Sequence, residues 1–140
     1  MNKYTKYDLR ILITLVMLNI VFTLAALYFT YIGVSSGLFY ESIPASANLF
    51  ATVGLETGIL FSVALAILIP IIFISIYFSF FPLVKYKIIK LAPLEDYDSL
   101  KSLFFLLSFL PLATLGLLHG IDMTHNVVAF ASGGQILLLH

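Results

Sequence analysis

The side chains of this sequence that are best suited to chemistry lie in one short segment, His119-Gly-Ile-Asp-Met-Thr-His-Asn126. Residues three and four positions apart share one face of a helix, so His119, Asp122 and either His125 or Asn126 would form one polar stripe. Imidazole and carboxylate groups suit Zn²⁺, Cu²⁺ or Fe²⁺, and a carboxylate beside histidines can also relay protons. His119, Asp122 and His125 are therefore the candidate metal ligands.

The same stripe has two further interpretations. Asp122 would lie in the first turn of a last helix, where a carboxylate complements the helix dipole, and this structural role is the favoured one. Alternatively, the stripe would contact a partner subunit. A metal site would need a further ligand from Glu41, Glu56 or another chain, because a single helix supplies too few.

The rest of the sequence carries no motif that supports an enzyme or names a cofactor. It lacks the glycine-rich phosphate and dinucleotide loops, the H-E-x-x-H zinc motif and the G-x-S-x-G nucleophile motif. It has no cysteine, which excludes thiolate ligands and cysteine nucleophiles. The three histidines, His119, His125 and His140, belong to one predicted helix or its ends, so a haem held between facing helices is not expected.

Composition excludes a free-standing soluble protein. Of the 140 residues, 61% are hydrophobic and 10% are charged, and the mean hydropathy is +1.10, whereas soluble domains are about 25% charged. Seven basic residues balance seven acidic ones. Nucleic-acid binding is not expected, because no net positive field would attract a polyanion.

The apolar runs predict an all-α transmembrane bundle of four helices. Crossing the hydrocarbon takes about 20 apolar residues, and four runs of about this length or more make up a single membrane domain over residues 1–140. The predicted spans are 9–33, 47–81, 101–118 and 120–139, with a polar cytoplasmic loop over 82–100. The third and fourth spans would be joined at His119-Gly120 by a tight antiparallel hairpin.

The basic residues predict the orientation of these spans. All seven lie around the start of the first span or between the second and third, and Lys and Arg near span ends stay on the cytoplasmic side. With four spans, both termini would be cytoplasmic in a multi-pass protein of the cell membrane.

Three polar residues within or beside the apolar runs are candidate intramembrane or interface sites. Asn19, with Thr23 four residues later, would hydrogen-bond to another helix. Glu56 would lie at the outer boundary of the second span, and Asn126 belongs to the polar stripe.

Paired glycines predict close helix packing at the outer end. Small residues four positions apart let helix backbones approach each other, although glycines also serve turns. The pairs are Gly33/Gly37, Gly54/Gly58 and Gly116/Gly120.

The layout of polar residues resembles that of small, uncharacterised four-helix integral membrane proteins of archaea. The residues that carry this resemblance are Leu18-Asn19 with Thr23, Gly37, Glu41-Ser42-Ile43-Pro44, Lys85 to Lys90, and Asn126. The resemblance implies a four-helix membrane fold and no particular activity.

Two functional hypotheses follow from the sequence. The first is a non-catalytic accessory or scaffold subunit of a larger membrane complex, such as an energy-transducing one, with lipid and other integral membrane subunits, or further copies of the chain, as partners. The alternative is a small transporter, or a proton- or metal-handling membrane protein, that uses the outer Asp and His cluster.

Overall fold

The computed structural model describes residues 3–38, 41, 44–85 and 94–133 of the chain. The part described is all-helical, as the sequence predicts. Its helices are α1 (Lys3–Ser35), α2 (Pro44–Val53), α3 (Leu55–Lys85) and α4 (Leu94–Ala131).

The predicted hairpin at His119-Gly120 is wrong, because α4 continues through both residues without a break. The physical reason is that the polar residues near them face a cavity between helices and need no loop to reach water. Gly120 lies against Phe22 of α1, where an added Cβ would come within 3.4 Å of the ring. Gly120 therefore packs beside α1 within a continuous helix and does not mark a turn.

The second predicted span, 47–81, is divided into two helices. Gly54 has a φ of +85°, a left-handed conformation that interrupts an α-helix and that glycine adopts at little cost. The predicted loop over 82–100 is also too long, because α3 extends to Lys85 and α4 begins at Leu94.

Three helices, rather than four, are long and apolar enough to cross a membrane within the described part of the chain. These candidate spans are Lys6–Ser35, Leu55–Leu83 and Asp98–Ala131. The expectation that both termini share one side depends on an even number of spans, whereas the described residues contain three candidate spans. The side on which each terminus lies stays a prediction.

Contacts between helices show that α1 and α4 run parallel and that α3 runs antiparallel to both. Asp8 pairs with Lys101, and Thr30, three turns past the middle of α1, bonds to Asn126. Tyr77, late in α3, bonds to Asp8 near the start of α1. One end of the bundle, the Asp8 end, therefore contains the starts of α1 and α4, and the other, the Asp122 end, contains their later turns.

A small core of Leu12, Tyr77 and Leu112 joins the three long helices. All three side chains are fully buried. This core lies towards the Asp8 end and packs the interior of the bundle there with apolar and aromatic groups.

Asn19 lies in the middle of the bundle, and the prediction that it bonds to another helix is confirmed. Its side chain is 0% exposed, and its Nδ2 donates to the carbonyl oxygens of Leu15 and Leu112, each at 2.8 Å. The same prediction is wrong for Thr23, whose hydroxyl donates to the carbonyl of Asn19 in its own helix.

The predicted glycine pairs divide between turns and packing. Gly37 and Gly54 have positive φ angles and serve turns. Gly116 packs against Asn19, and Gly58 lies so close to the Phe50 ring that an added Cβ would overlap it. Gly58 thereby allows α2 to fold back onto α3, which is the one helix of the described set that α2 contacts.

Candidate binding cavity

A cavity of about 280 Å³ lies between α1, α3 and α4 towards the Asp122 end, with α2 and the residue Glu41 on one side. A volume near 300 Å³ is at the lower limit of small-molecule sites. Its wall combines aliphatic side chains with an unusual number of polar ones for the interior of so apolar a chain. The polar residues on its wall are Thr23, Thr30, Glu41, Ser46, Ser62, His119, Asp122, His125 and Asn126.

The polar stripe of α4 faces this cavity. His119, Asp122, His125 and Asn126 all lie on its wall, so the prediction that they share one helix face is confirmed. Asp122 does not lie in the first turn of a helix, because α4 begins at Leu94. The effect of the helix dipole is confined to the terminal turns of a helix. It therefore does not explain the presence of the Asp122 carboxylate within α4.

The α1 side of the wall is fixed by hydrogen bonds from Asn126. Its Nδ2 donates to the Ala26 carbonyl oxygen at 3.2 Å and to the Thr30 hydroxyl oxygen at 2.9 Å. Thr30 is buried. These bonds join α4 to α1 beside the cavity.

The α3 side of the wall contains a helix-breaking residue. Ser62, Ala66 and Pro70 follow one another at intervals of four residues and all line the cavity. Proline has no backbone N–H and its ring displaces the carbonyl four residues earlier. Within α3, the Ala66 carbonyl therefore lacks the N–H of residue 70 as a donor.

The remaining wall comes from α2 and the residue before it. Glu41, Ser46 and Phe50 border the cavity, and the Phe50 ring rests on Gly58 of α3. The position of α2 over α3 therefore determines whether these three side chains reach the cavity.

The two acids considered as additional metal ligands have different positions. Glu41 lines the cavity. Glu56 is exposed in the first turn of α3 and borders a separate groove with Tyr31 and Ser35. The structure therefore brings Glu41, and not Glu56, to the same cavity as Asp122.

Metal-binding geometry is not found in the described residues, where no group of three His, Asp or Glu side chains is arranged to hold one ion. His119, Asp122 and His125 share a wall without converging on a common point. The metal assignment of these three residues stays a prediction from sequence.

Several wall residues were not identified from sequence, notably Thr30, Ser46 and Ser62. Isolated hydroxyl residues are common in apolar helices, where they bond to their own backbone, so their types carry no signal. Finding them requires knowing that α1 and α4 are parallel and which turns face each other.

The cavity wall carries acidic side chains. The described residues on it include two carboxylates, Glu41 and Asp122, and no Lys or Arg. The basic side chains that the structure describes lie at the Asp8 end, in the first turns of the candidate spans of α1 and α4. They are Lys6, Arg10 and Lys101. Among the described residues, the Asp122 carboxylate therefore borders the cavity with no Lys or Arg on the same wall.

Comparisons with protein-family models, with characterised proteins and with solved structures gave no match to this chain. The arrangement of its own residues therefore carries the functional argument.

Proposed function

We propose that this protein is a membrane-embedded binding protein or transporter for a small cationic solute. The observation that carries the proposal is the cavity whose described wall holds the Asp122 carboxylate and no Lys or Arg. Charge interactions are several times stronger near low-dielectric protein than in water. A cation of suitable size would therefore be favoured over a neutral or anionic solute of the same shape.

The distribution of basic residues supports an orientation for this site. Lys6, Arg10 and Lys101 lie at the Asp8 end, and basic residues near span ends favour the cytoplasmic side. A span of about 20 residues that starts at Lys101 ends close to Asp122. In this orientation the cavity belongs to the outer half of a cell-membrane protein, and solute would enter from outside.

The asymmetry between the two ends supports transport by alternating access. The cavity extends inward as far as Thr23 and Leu115, whereas Leu12, Tyr77 and Leu112 fill the bundle nearer the Asp8 end. Transporters commonly place their binding sites within the bilayer beside interrupted helices and open one side at a time. Release to the inside would require these core side chains to separate.

The proposal is tested by cation binding to the purified protein in lipid nanodiscs. A panel of small protonated amines, quaternary ammonium ions and Na⁺ is titrated by calorimetry, with empty nanodiscs to subtract partitioning into lipid. Asp122→Asn should weaken binding about tenfold or more, equivalent to about 1.4 kcal/mol. The neutral side chain keeps its shape and removes the charge.

Glu56→Gln provides the matched control. Glu56 is an exposed acid at the same end of the bundle, and it lies outside the cavity wall. Its neutralisation should leave affinity within about twofold of the unmodified protein, because exposed charges are screened by salt and water. Binding of no cation in the panel, or equal losses in the two variants, would overturn the proposal.

The accessory-subunit hypothesis stays a prediction. Large apolar side chains are exposed along all three long helices, and such surfaces suit lipid chains and neighbouring membrane helices equally well. Copurification with other membrane chains in mild detergent would support it. A monodisperse single chain that retains cation binding would argue against it.

A further inference from the structure

The side-chain oxygen of Asn19 is buried in the middle of the bundle and has no hydrogen-bond partner among the described residues. Both hydrogens of the same amide are used, one by the Leu15 carbonyl and one by the Leu112 carbonyl. These bonds fix the orientation of the amide, because exchanging its nitrogen and oxygen would place Oδ1 against two other acceptors. Asn19 Oδ1 is therefore an unused acceptor inside the bundle.

A second buried polar atom of this kind belongs to Ser108 of α4. The Ser108 side chain is 0% exposed, and its Oγ has no hydrogen-bond partner in the part of the chain that the structure describes. A serine in an apolar helix commonly donates to the carbonyl four residues earlier, as Ser62 and Ser75 do in α3. Ser108 does not follow this pattern, so its hydroxyl differs from those of the other serines.

The register of α1 and α4 places these two side chains close together. The Lys101 salt bridge and the hydrogen bond from Asn19 to Leu112 both join an α1 residue to the residue 93 positions later. In that register Ser108 lies level with Leu15. The Asn19 side chain points towards the start of α1, where it bonds to the Leu15 carbonyl. It therefore lies within about one helical turn of the level of Ser108.

Ser108 also lies on the line of α4 that faces the interior of the bundle. Residues seven positions apart, nearly two turns, return to almost the same side of a helix, and Lys101, Ser108, Leu115 and Asp122 have this spacing. Lys101 is buried at the Asp8 end, whereas Leu115 and Asp122 line the cavity. Ser108 therefore lies between the cavity and the salt bridge of Lys101, on the line that connects them.

The two unpartnered atoms destabilise the conformation in which they are buried. Both have lost their hydration without gaining a hydrogen bond, and a buried polar group without a partner costs free energy. A conformation that admits water between α1 and α4 at this level would restore donors to both oxygen atoms. Asn19 and Ser108 therefore favour an opening of the bundle at this level.

Two helix-breaking residues lie where such an opening would bend the helices. Pro111 of α4 borders one groove with Ile69 and Phe73 of α3, and Pro70 lies between these two residues of α3, so the prolines are at nearly the same level. Proline removes a backbone hydrogen bond and is a common position of helix bending. The inner segments of α3 and α4 can therefore move relative to their outer segments.

We infer that Asn19 and Ser108 form an inner site, closed in this structure, whose oxygen atoms bind a small hydrated cation once the Asp8 end opens. Opening requires α1 to separate from the inner segments of α3 and α4, which breaks the contacts of Asp8 with Lys101 and Tyr77. The inference rests on the proposed function, because it names the route by which the cation leaves the cavity towards the inside.

Thiol labelling tests whether Ser108 becomes accessible from the Asp8 end. The chain has no cysteine, so Ser108→Cys carries a single thiol, which reacts as a thiolate and therefore needs water. A small impermeant methanethiosulfonate should modify Ser108→Cys from the same side of the membrane as Lys6→Cys. Leu107→Cys is the control and should stay unmodified, because Leu107 is exposed on the apolar outer surface of the same helix. Modification of Ser108→Cys only from the opposite side would overturn the inference.

Tyr77→Phe, in the Ser108→Cys background, tests the part played by the contacts of Asp8. The substitution removes the hydroxyl that donates to Asp8 at 3.1 Å and keeps the ring in the core, so the labelling rate should rise several-fold. Tyr7→Phe is the control, because Tyr7 is an exposed tyrosine near the same end. Equal rates in the two variants, or no modification of Ser108→Cys in either, would overturn the inference.

Ser108→Ala tests the absence of a partner in the closed conformation. Alanine removes the unpartnered hydroxyl, so the apparent Tm in detergent should rise by a few degrees relative to Ser79→Ala. Ser79 is the control because its partly buried hydroxyl bonds to the Ile76 carbonyl, and the change in helix propensity is the same in both variants. A lower Tm in Ser108→Ala than in Ser79→Ala would contradict the unpartnered hydroxyl.

Uptake into proteoliposomes tests the role of the inner site in transport, with the cation of the panel that binds most tightly as the radiolabelled probe. Uptake should fall several-fold in Ser108→Ala, because the open conformation loses an oxygen ligand, and it should stay near the parent rate in Ser79→Ala. Unchanged uptake in Ser108→Ala would overturn the inference and leave the proposed function standing. If no cation of the panel binds, the proposed function fails together with the cation role of this site, and the labelling of Ser108→Cys then decides whether the Asp8 end opens.

Discussion

The ammonium group of Lys101 lies 3.0 Å from the Asp8 carboxylate oxygen Oδ2, joining the starts of α4 and α1. The Tyr77 hydroxyl donates to the same oxygen at 3.1 Å from late in α3. One carboxylate oxygen therefore accepts from both other long helices. The side chains of Lys101 and Asp8 are 11% and 24% exposed, so the pair is largely shielded from water.

Asp8→Asn should destabilise the bundle. It removes the charge that compensates Lys101 and leaves that ammonium group unpaired. A loss of about 1–3 kcal/mol is expected for a polar group left without its partner, below the value for a fully buried ion pair because Asp8 retains some contact with solvent. The measurement is the apparent Tm in detergent at a fixed scan rate, since unfolding of such proteins is often irreversible.

Asp98→Asn is the control for this measurement, because Asp98 is an exposed acid near the same end of the bundle. Its apparent Tm should stay close to that of the unmodified protein. An Asp8→Asn protein as stable as Asp98→Asn would show that the three-helix contact contributes nothing to stability.

A second prediction concerns the close contact between Gly116 and Asn19. A Cβ at position 116 would lie 3.4 Å from Asn19 Nδ2, and that nitrogen is fixed by two hydrogen bonds of 2.8 Å. That distance is an ordinary van der Waals contact, so Gly116→Ala should be accommodated without moving Asn19 and should stabilise the protein by up to about 1 kcal/mol through the better helix propensity of alanine. Thermal unfolding in detergent provides the comparison, with the exposed Ser102→Ala of the same helix as control.

A double-mutant cycle separates this contact from an effect on the helix alone. In an Asn19→Ala background the neighbouring amide is gone, and adding Gly116→Ala should raise stability by the same amount as in the parent. A gain confined to the Asn19→Ala background would show that the new methyl group strains the Asn19 amide.

The sequence was sufficient to predict helices and some of their polar contacts, but not that one continuous helix, α4, joins the third and fourth predicted spans. Asn19 and the α4 stripe were identified because a polar side chain in an apolar helix needs a partner. His119 and Gly120 were assigned to a hairpin because the same residue types also mark loops. Whether such residues face water or a cavity depends on the neighbouring helices, which no local pattern specifies.

The residues that line the cavity could also be predicted only in part from the sequence. Local spacing placed Asp122 on one face with His119, but it gave no means of choosing between Glu41 and Glu56 as a second acid. That choice depends on how Gly54 redirects the chain so that α2 folds back onto α3. A glycine in an apolar run is compatible with a turn, a helix break or a close helix contact. Its presence in the sequence does not predict the direction of the helix that follows it.

The third prediction concerns α2 and its contact with α3. In Gly58→Ala the new methyl group would overlap the Phe50 ring, so α2 should shift away and Phe50 should leave the cavity wall. Spin labels at Ala51→Cys and Thr124→Cys, both exposed sites, would report this by pulsed electron resonance. The chain has no cysteine of its own, so the two labels are specific.

The expected result is a longer or broader distance distribution between the labels in Gly58→Ala than in the parent. Thr57→Ala serves as the control, since Thr57 is exposed beside Gly58. Identical distributions in Gly58→Ala and Thr57→Ala would contradict the dependence of α2 on this glycine.

The fourth prediction distinguishes three spans from four. If α1, α3 and α4 each cross the membrane once, Lys6 and Ser132 lie on opposite sides, because α1 and α4 are parallel and these residues are near the start of one and just after the end of the other. With a hairpin at His119-Gly120 the same two residues would lie on one side. Their relative exposure to an impermeant thiol reagent therefore decides between the two topologies.

Single-cysteine variants Lys6→Cys and Ser132→Cys are suitable because the unmodified chain contains no thiol. In intact cells, an impermeant maleimide should label Ser132→Cys and spare Lys6→Cys, because basic residues favour the cytoplasmic side of the Asp8 end. Both variants should react equally after the membrane is permeabilised, which controls for local accessibility. Protection of both variants in intact cells would indicate a topology in which Lys6 and Ser132 both lie on the cytoplasmic side. That result would contradict the three-span topology and the proposed position of the cavity in the outer half of the membrane.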